Sequence, residues 1–227
     1  MAKYGMVIDL HRCVGCAECL IACKSENNVD EGIFWSSAIR NMSGTFPDVK
    51  YEFIPTLCNH CEAAPCTIVC PTGAMFKDEN GLTMHNPELC DGCQACLEVC
   101  PYGNISYNEN AVQAFWNSEK AAIPEGTATG RELQELTGET IPYYNPDREA
   151  TYDGIRRPGV VEKCTFCDHR LRAGLEPYCV EACPAKARVF GDLDDENSEI
   201  SRLLKENQAE VLKEEAQTKP KVYYIGR

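Results

Sequence analysis

"CNHCEAAPCTIVCPTGAMFKDENGLTMHNPELCDGCQACLEVCP", residues 58–101, holds eight cysteines in two groups of four. The first group is Cys58, Cys61, Cys66 and Cys70; the second is Cys90, Cys93, Cys96 and Cys100. Nineteen residues separate the groups. They read as a strand over 74–77, the turn "DENG" and a second strand over 82–85. Eight thiols spaced this closely, joined by one short hairpin, describe a unit organised by metal rather than by an apolar core.

Working outward, the same device recurs on both sides. "CVGCAECLIAC" (13–23) supplies Cys13, Cys16, Cys19 and Cys23, and "CTFCDHRLRAGLEPYCVEACP" (164–184) supplies Cys164, Cys167, Cys179 and Cys183. All sixteen cysteines of the 227 residues fall in these four quartets. An even, high count also suits a disulfide framework, but that belongs to short secreted chains without a core. Thiols two residues apart favour a metal.

The first and third quartets follow the bacterial ferredoxin run C-x2-C-x2-C-x3-C-P, the first lacking only the proline. The second widens the middle gap to four residues and the fourth widens it to eleven. Two-residue loops curl successive thiolates around one iron–sulfur cube. The x3 step begins a helix, whose rise of about 6 Å over four residues carries the last cysteine away to a different cube. Pro71, Pro101 and Pro184 fix the backbone after that cysteine and offer no competing N–H. Lys24 replaces proline after the first quartet, which costs rigidity but no ligand. Structural zinc prefers two cysteine pairs a dozen or more residues apart, a test that the fourth quartet alone passes. Three thiols at x2, x2 steps overcrowd a tetrahedral ion. Four [4Fe–4S] clusters are expected, with zinc at the fourth quartet as the competing reading.

The short interval between Cys70 and Cys90 makes quartets two and three one module, leaving one and four to pair around it. The expected cages are Cys13, Cys16, Cys19 with Cys183; Cys164, Cys167, Cys179 with Cys23; Cys58, Cys61, Cys66 with Cys100; and Cys90, Cys93, Cys96 with Cys70. Sequential pairing is the alternative, but its linkers of 34 and 63 residues exceed that of a ferredoxin. The expected fold is α+β: two nested ferredoxin-like modules with short hairpins, long loops and a C-terminal helix. The outer module is residues 1–50 plus 159–195, the inner module 51–110. Strands "YGMVIDL", "YEFIPTL" and "GVVEK" lead into quartets one, two and four. The cysteine-free stretch 111–158 is read as a docking surface, with a solvated excursion as the alternative. In 196–227, "SEISRLLKENQAEVLKEE" reads as one amphipathic helix.

A formal charge of −13 without a basic stripe argues against nucleic acid. No apolar run approaches the ~18 residues that span a bilayer, and "MAKYGMVIDL" enters a strand with no signal-peptide core. The chain has no dinucleotide fingerprint, P-loop or nucleophile elbow. Cubes held by four thiolates keep no iron open for substrate, so the expected work is one-electron transfer, with no catalytic residue in this chain. His60 and His169 lie inside cysteine loops and are read first as solvent-facing, second as tuning a cluster. Lys163, Arg170 and Arg188 flank quartet four and are read either as surface charges or as counter-charges that raise a cluster's potential. Asn41 and Asn104 begin N-x-S sequons, which mean little without a secretory context.

The four quartets in this order resemble the iron–sulfur (beta) subunits of molybdopterin oxidoreductases of the DMSO reductase family. "GMVIDLHRCVGC", "TFPDVKYEFIPTLCNHC" and "EKCTFCDHRLRAGLEPYCVEACP…RVFGDLDD" look most like the small subunits of respiratory arsenate reductases. They are also similar to subunits of polysulfide, thiosulfate and tetrathionate reductases and of catechol dehydroxylases. The resemblance implies an electron-transfer subunit and a large catalytic partner bearing molybdopterin with molybdenum or tungsten. The cage of Cys13, Cys16, Cys19 and Cys183 would lie nearest that partner. Electrons would reach the far module from a quinol-oxidising membrane subunit or a soluble donor. Relatives of this kind often cross the membrane folded beside a partner that bears the export signal, which implies a periplasmic place; cytoplasmic members exist too. A free-standing polyferredoxin that shuttles electrons between soluble enzymes is the reading from another class.

Overall fold

The computed structural model describes residues 2–110, 121, 123–138 and 157–227. Its central sheet is built from the two ends of the chain. Strand β1 (Tyr4–Asp9) lies between β8 (Arg188–Asp192), antiparallel to it, and β10 (Val222–Ile225), parallel to it; β9 (Ala209–Glu210) edges β10. Buried on both faces, β1 is a continuous apolar run rather than an alternation. Met6 and Ile8 enter the main core with Phe166, Phe190, Val222 and Tyr224. Val7 faces the other way and packs with Val189, Ile225 and Ile200 and Leu203 of helix α7 (Glu199–Glu206).

The C-terminal segment departs from expectation. Instead of one long helix, α7 is capped by the Ser198 hydroxyl, which accepts from Ser201 N at 3.2 Å. It stops at Asn207, whose side-chain amide donates to Leu203 O at 3.0 Å. The chain then turns extended, because pairing with β1 buries Val222, Tyr224 and Ile225 almost completely. Leu212, expected on the helix, joins the main core from a turn. Residues 196–227 therefore complete the sheet that carries the first and fourth quartets.

Three hairpins complete the fold. β4 (Met75–Lys77) and β5 (Thr83–His85) pair as the spacing between quartets requires, around a turn in which Asp78 Oδ1 accepts from Asn80 N and Leu82 N at 3.0 and 2.6 Å. β6 (Ile105–Asn108) pairs antiparallel with β7 (Val160–Lys163), so the strand leaving quartet three holds the strand entering quartet four. β2 (Ser36–Thr45) and β3 (Asp48–Leu57) form a two-stranded ribbon of ten residues a side. The expected boundary between residues 50 and 51 falls inside β3, and the strand of "YEFIPTL" begins three residues earlier. Of the 111–158 stretch, residues 121, 123–138 and 157–158 are described, among them helix α4 (Gly130–Thr137). The docking surface expected there lies largely outside the described residues.

Candidate metal centres

Each quartet folds by the same local rule. The second residue after its first cysteine adopts the left-handed conformation: Gly15 (φ 69°), His60 (43°), Gly92 (74°) and Phe166 (55°). That turn folds the loop back so that thiols two residues apart face one volume. The third cysteine then sits in a short helix: Cys19 in α1 (Glu18–Glu26), Cys66 in α2 (Pro65–Val69), Cys96 in α3 (Ala95–Val99) and Cys179 in α6 (Tyr178–Glu181). Cys70 and Cys100 end their helices in extended backbone ahead of Pro71 and Pro101. In α1, where Lys24 takes the proline's place, the helix runs a further turn to Glu26. Lys24 Nζ then donates to Asp30 O at 2.5 Å and Ile33 O at 2.7 Å, over the Phe34 ring. In place of the proline, an ammonium closes the next loop.

All sixteen cysteines are free thiols. The helices pair as α1 with α6 and α2 with α3, which delivers each fourth cysteine to the neighbouring quartet. One cavity is lined by Cys13, Cys16 and Cys19 together with Cys183. A second is lined by Cys58, Cys61 and Cys66 with Cys100, and a third by Cys90, Cys93 and Cys96 with Cys70. Cys23 meets Cys164, Cys167 and Cys179 in the most buried group, where burial and then these neighbouring thiols push its pKa well up. Neighbouring groups adjoin: Cys179 acts on Cys19, and Cys58 on Cys164. Cys16, in the first group, and Cys93, in the group of Cys90 and Cys96, are exposed.

The donor chemistry fits cubes of iron and sulfide. Backbone N–H groups point at sulfur: Met75 N to Cys70 at 3.4 Å, Phe166 N to Cys164 at 3.4 Å, Ala187 N to Cys183 at 3.3 Å. At Cys70 burial alone would raise the pKa, but the Met75 N–H and the Thr72 hydroxyl outweigh it and hold it below the usual thiol range. The Asn27 amide spans Cys23 and Cys167 at 3.8 and 3.7 Å. Such N–H···S bonds stabilise charge on thiolate and sulfide alike.

Both loop histidines depart from the solvent-facing reading. His60 is fully buried, its ring stacked 4.0 Å from that of Phe166, so the left-handed residues of quartets two and four meet face to face. Burial first, then Lys163, Lys77 and Lys221, hold its pKa well below the ordinary imidazole range. His169 is buried on helix α5 (Asp168–Arg172) and meets Glu26 Oε1 at 2.7 Å. Lys163 is buried too and donates to Cys164 O at 2.6 Å and to Thr83 O, while Lys77 donates to Cys61 O and to Thr83 Oγ1 at 2.8 Å. Arg170 pairs with Glu181 and with Glu26 at 3.7 Å. Arg188 reaches sulfur itself. Asn104, far from being a sequon site, is buried and ties β3 to β6 by donating to Leu57 O at 2.7 Å. The repeated C-x-[GHF]-C pattern marked the turn positions, but no local signal in the sequence announced the burial of His60.

Quartets that trade their fourth thiols across paired helices define a ferredoxin-like iron–sulfur protein. Comparison with known families agrees: the description "4Fe-4S dicluster domain" matches residues 49–121 and 123–193, and "4Fe-4S binding domain" matches 10–29. The chain belongs to this dicluster family of [4Fe–4S] electron-transfer subunits of reductases. It is 53% identical to the arsenate respiratory reductase iron–sulfur subunit of Shewanella sp. (strain ANA-3), over 98% of this chain and 96% of the relative. It is 38% identical to protein NrfC of Escherichia coli (strain K12), over 98% and 80%. It is 36% identical to a selenate reductase subunit of Mesobacillus selenatarsenatis, over 97% and 70%.

Proposed function

We propose that this chain is the non-catalytic electron relay of a molybdopterin reductase, with arsenate as the terminal substrate. It would hold four [4Fe–4S] clusters as two nested pairs, an outer pair on residues 1–50 and 159–195 and an inner pair on 51–110. The clusters, when bound, supply one-electron transfer. The residues of the chain do the rest: Cys13, Cys16, Cys19 and Cys183 hold the first; Cys164, Cys167, Cys179 and Cys23 the second; Cys58, Cys61, Cys66 and Cys100 the third; Cys90, Cys93, Cys96 and Cys70 the fourth. The observation that carries this reading is the set of adjoining thiol groups, with Cys16 exposed in one and Cys93 in another. A relay reachable at two separate groups can take a donor at one and an acceptor at the other. The acceptor we place at the Cys16 group is the large molybdopterin subunit; the donor at the Cys93 group is a membrane quinol-oxidising subunit or a soluble protein.

The ribbon favours a docked subunit over a free polyferredoxin. Its register puts Met42 opposite Tyr51 and Gly44 opposite Val49 on one face, with Phe46 at the tip, while Asn41, Glu52, Ser43 and Lys50 share the other. The apolar face is exposed, Phe46 at 92%, and two-stranded ribbons are marginal alone. Phe53, on that same face, lines the cavity of Cys16. The likeness to the arsenate relative favours arsenate; selenate, from the 36% relative, is the second reading. Among the described residues no helix is long and apolar enough to cross a membrane. We place the complex on the outer face of the membrane, exported with its partner. The test is anaerobic co-purification with the large subunit: about four irons per quartet and re-oxidation of the dithionite-reduced complex by arsenate. A chain that runs alone, or clusters that stay reduced when arsenate is added, overturns the proposal.

A further inference from the structure

Arg188 opens β8 opposite Ile8 and is 3% exposed. Its Nη1 donates to Cys179 Sγ at 3.3 Å and its Nη2 to Ser36 Oγ at 3.0 Å. Its Nε is buried without a hydrogen-bond partner in the protein, and among the described residues no carboxylate pairs with the guanidinium. The same residue lines the cavity of Cys13, Cys16, Cys19 and Cys183. A buried guanidinium without a carboxylate is costly unless other negative charge replaces it. A guanidinium stays protonated throughout the working pH range, so this charge is permanent.

Resting on the ligand assignment proposed above, we infer that Arg188 is a positioning charge shared by the two outer clusters, which raises both their reduction potentials. One N–H reaches a sulfur of the second cage, and the unpartnered Nε–H sits on a residue that walls the first. Reduction of either cluster adds one electron and no proton at this point, because Arg188 is protonated before and after. Its charge therefore favours the reduced state of both neighbours. The lysines act differently: half-buried Lys77 and buried Lys163 and Lys221 each donate to backbone carbonyls. Ser36, the first residue of β2, holds the guanidinium's other arm, so the ribbon's base and the charge are coupled.

The experiment is an EPR-monitored redox titration of the complex with the large subunit, comparing the native chain with Arg188→Gln, Arg188→Lys and Ser36→Ala. With Arg188→Gln, at a fixed ambient potential, the reduced-to-oxidised ratio of two of the four clusters falls about tenfold or more, a downward shift of about 59 mV per tenfold for a one-electron couple. The other two clusters keep their midpoints. Arg188→Lys restores part of the shift, and Ser36→Ala moves the same two midpoints by less. Four unchanged midpoints in an iron-replete Arg188→Gln chain overturn the inference. Should Arg188→Gln lose iron, the loaded Arg188→Lys and Ser36→Ala chains decide: a shared downward shift of two midpoints supports the inference, and unchanged midpoints overturn it. A native chain without iron–sulfur signals would sink the assignment of clusters instead, so the two failures are told apart.

Discussion

Charges near the thiol groups can be spent on one another, and the pair of Glu26 and His169 shows this at the level of single residues. Both side chains are mostly buried, joined at 2.7 Å, with Arg170 3.7 Å from the same carboxylate. The hydrogen bond from His169 outweighs burial and, with Arg170, lowers the Glu26 pKa below the usual carboxylate range. A depressed folded-state pKa contributes stability above the unfolded value, and that contribution is lost as pH falls through the folded one. Glu26→Gln should therefore cost about 1 kcal/mol at neutral pH, some 2–4 °C in a chain of this size. The difference in melting temperature from the native chain should shrink below the ordinary carboxylate range. A gap that stays constant as the pH is taken from 7 to well below the ordinary carboxylate range would show that the pair contributes only packing. Such a pair was invisible in the sequence, since Glu26 and His169 stand 143 positions apart and each sits in an ordinary polar run.

Elements are held together here by close backbone approach as much as by apolar packing. At Gly92, φ is +74°, and a Cβ would stand 2.2 Å from Gly159 O, at the entry to β7. The loop of the third quartet is thus pressed against the strand that leads into the fourth. Gly92→Ala meets both the left-handed penalty and a backbone clash, together about 2–4 kcal/mol. It should lose about four irons per chain as the group of Cys70, Cys90, Cys93 and Cys96 opens. Gly103→Ala is the control: its φ is +62°, but nothing lies within 4 Å, so only the conformational cost remains and iron should be retained. Equal iron loss in both variants would mean that the close approach is irrelevant. The ribbon makes the opposite kind of prediction, because its outer half is exposed among the described residues. Met42→Glu with Tyr51→Glu should leave iron content and melting temperature unchanged while the large subunit elutes separately on gel filtration. Retained association would free the ribbon from any docking role. The hairpin of β4 and β5 was legible because its length was pinned between two cysteine groups. The ribbon's first strand was not, since "SSAIRNMSGT" alternates without a buried face and its partner is a neighbour rather than the core.

Over the whole molecule, the thiol groups were the legible part, since sixteen cysteines at ligand spacing have few other uses. What stayed hidden is how the two ends of the chain close the sheet. The parallel pairing of β1 with β10 spans nearly the full sequence, and residues 207–215 carry helical spacing that the sheet overrides. These long-range contacts surround voids. Tyr224, Met6, Ile8 and Phe166 pack in one core with Cys19, Cys164 and Cys179, so the thiol groups are part of what the sheet rests on. Without metal, burial and then neighbouring thiols raise Cys66 to about 12, and Cys96 and Cys167 to about 11. Empty groups would therefore leave protonated thiols facing unfilled hollows, with neither packing nor charge pairing to offset the entropy of ordering the loops. Metal-bound thiolates reverse each of those terms, and binding becomes part of folding. Removing iron anaerobically with a chelator and a reductant, which keeps the thiols free, should therefore abolish the cooperative thermal transition. The near-ultraviolet circular dichroism of the Tyr224–Phe166 core should vanish with it. An iron-free chain that still melts in one sharp step would show that the sheet stands without its clusters.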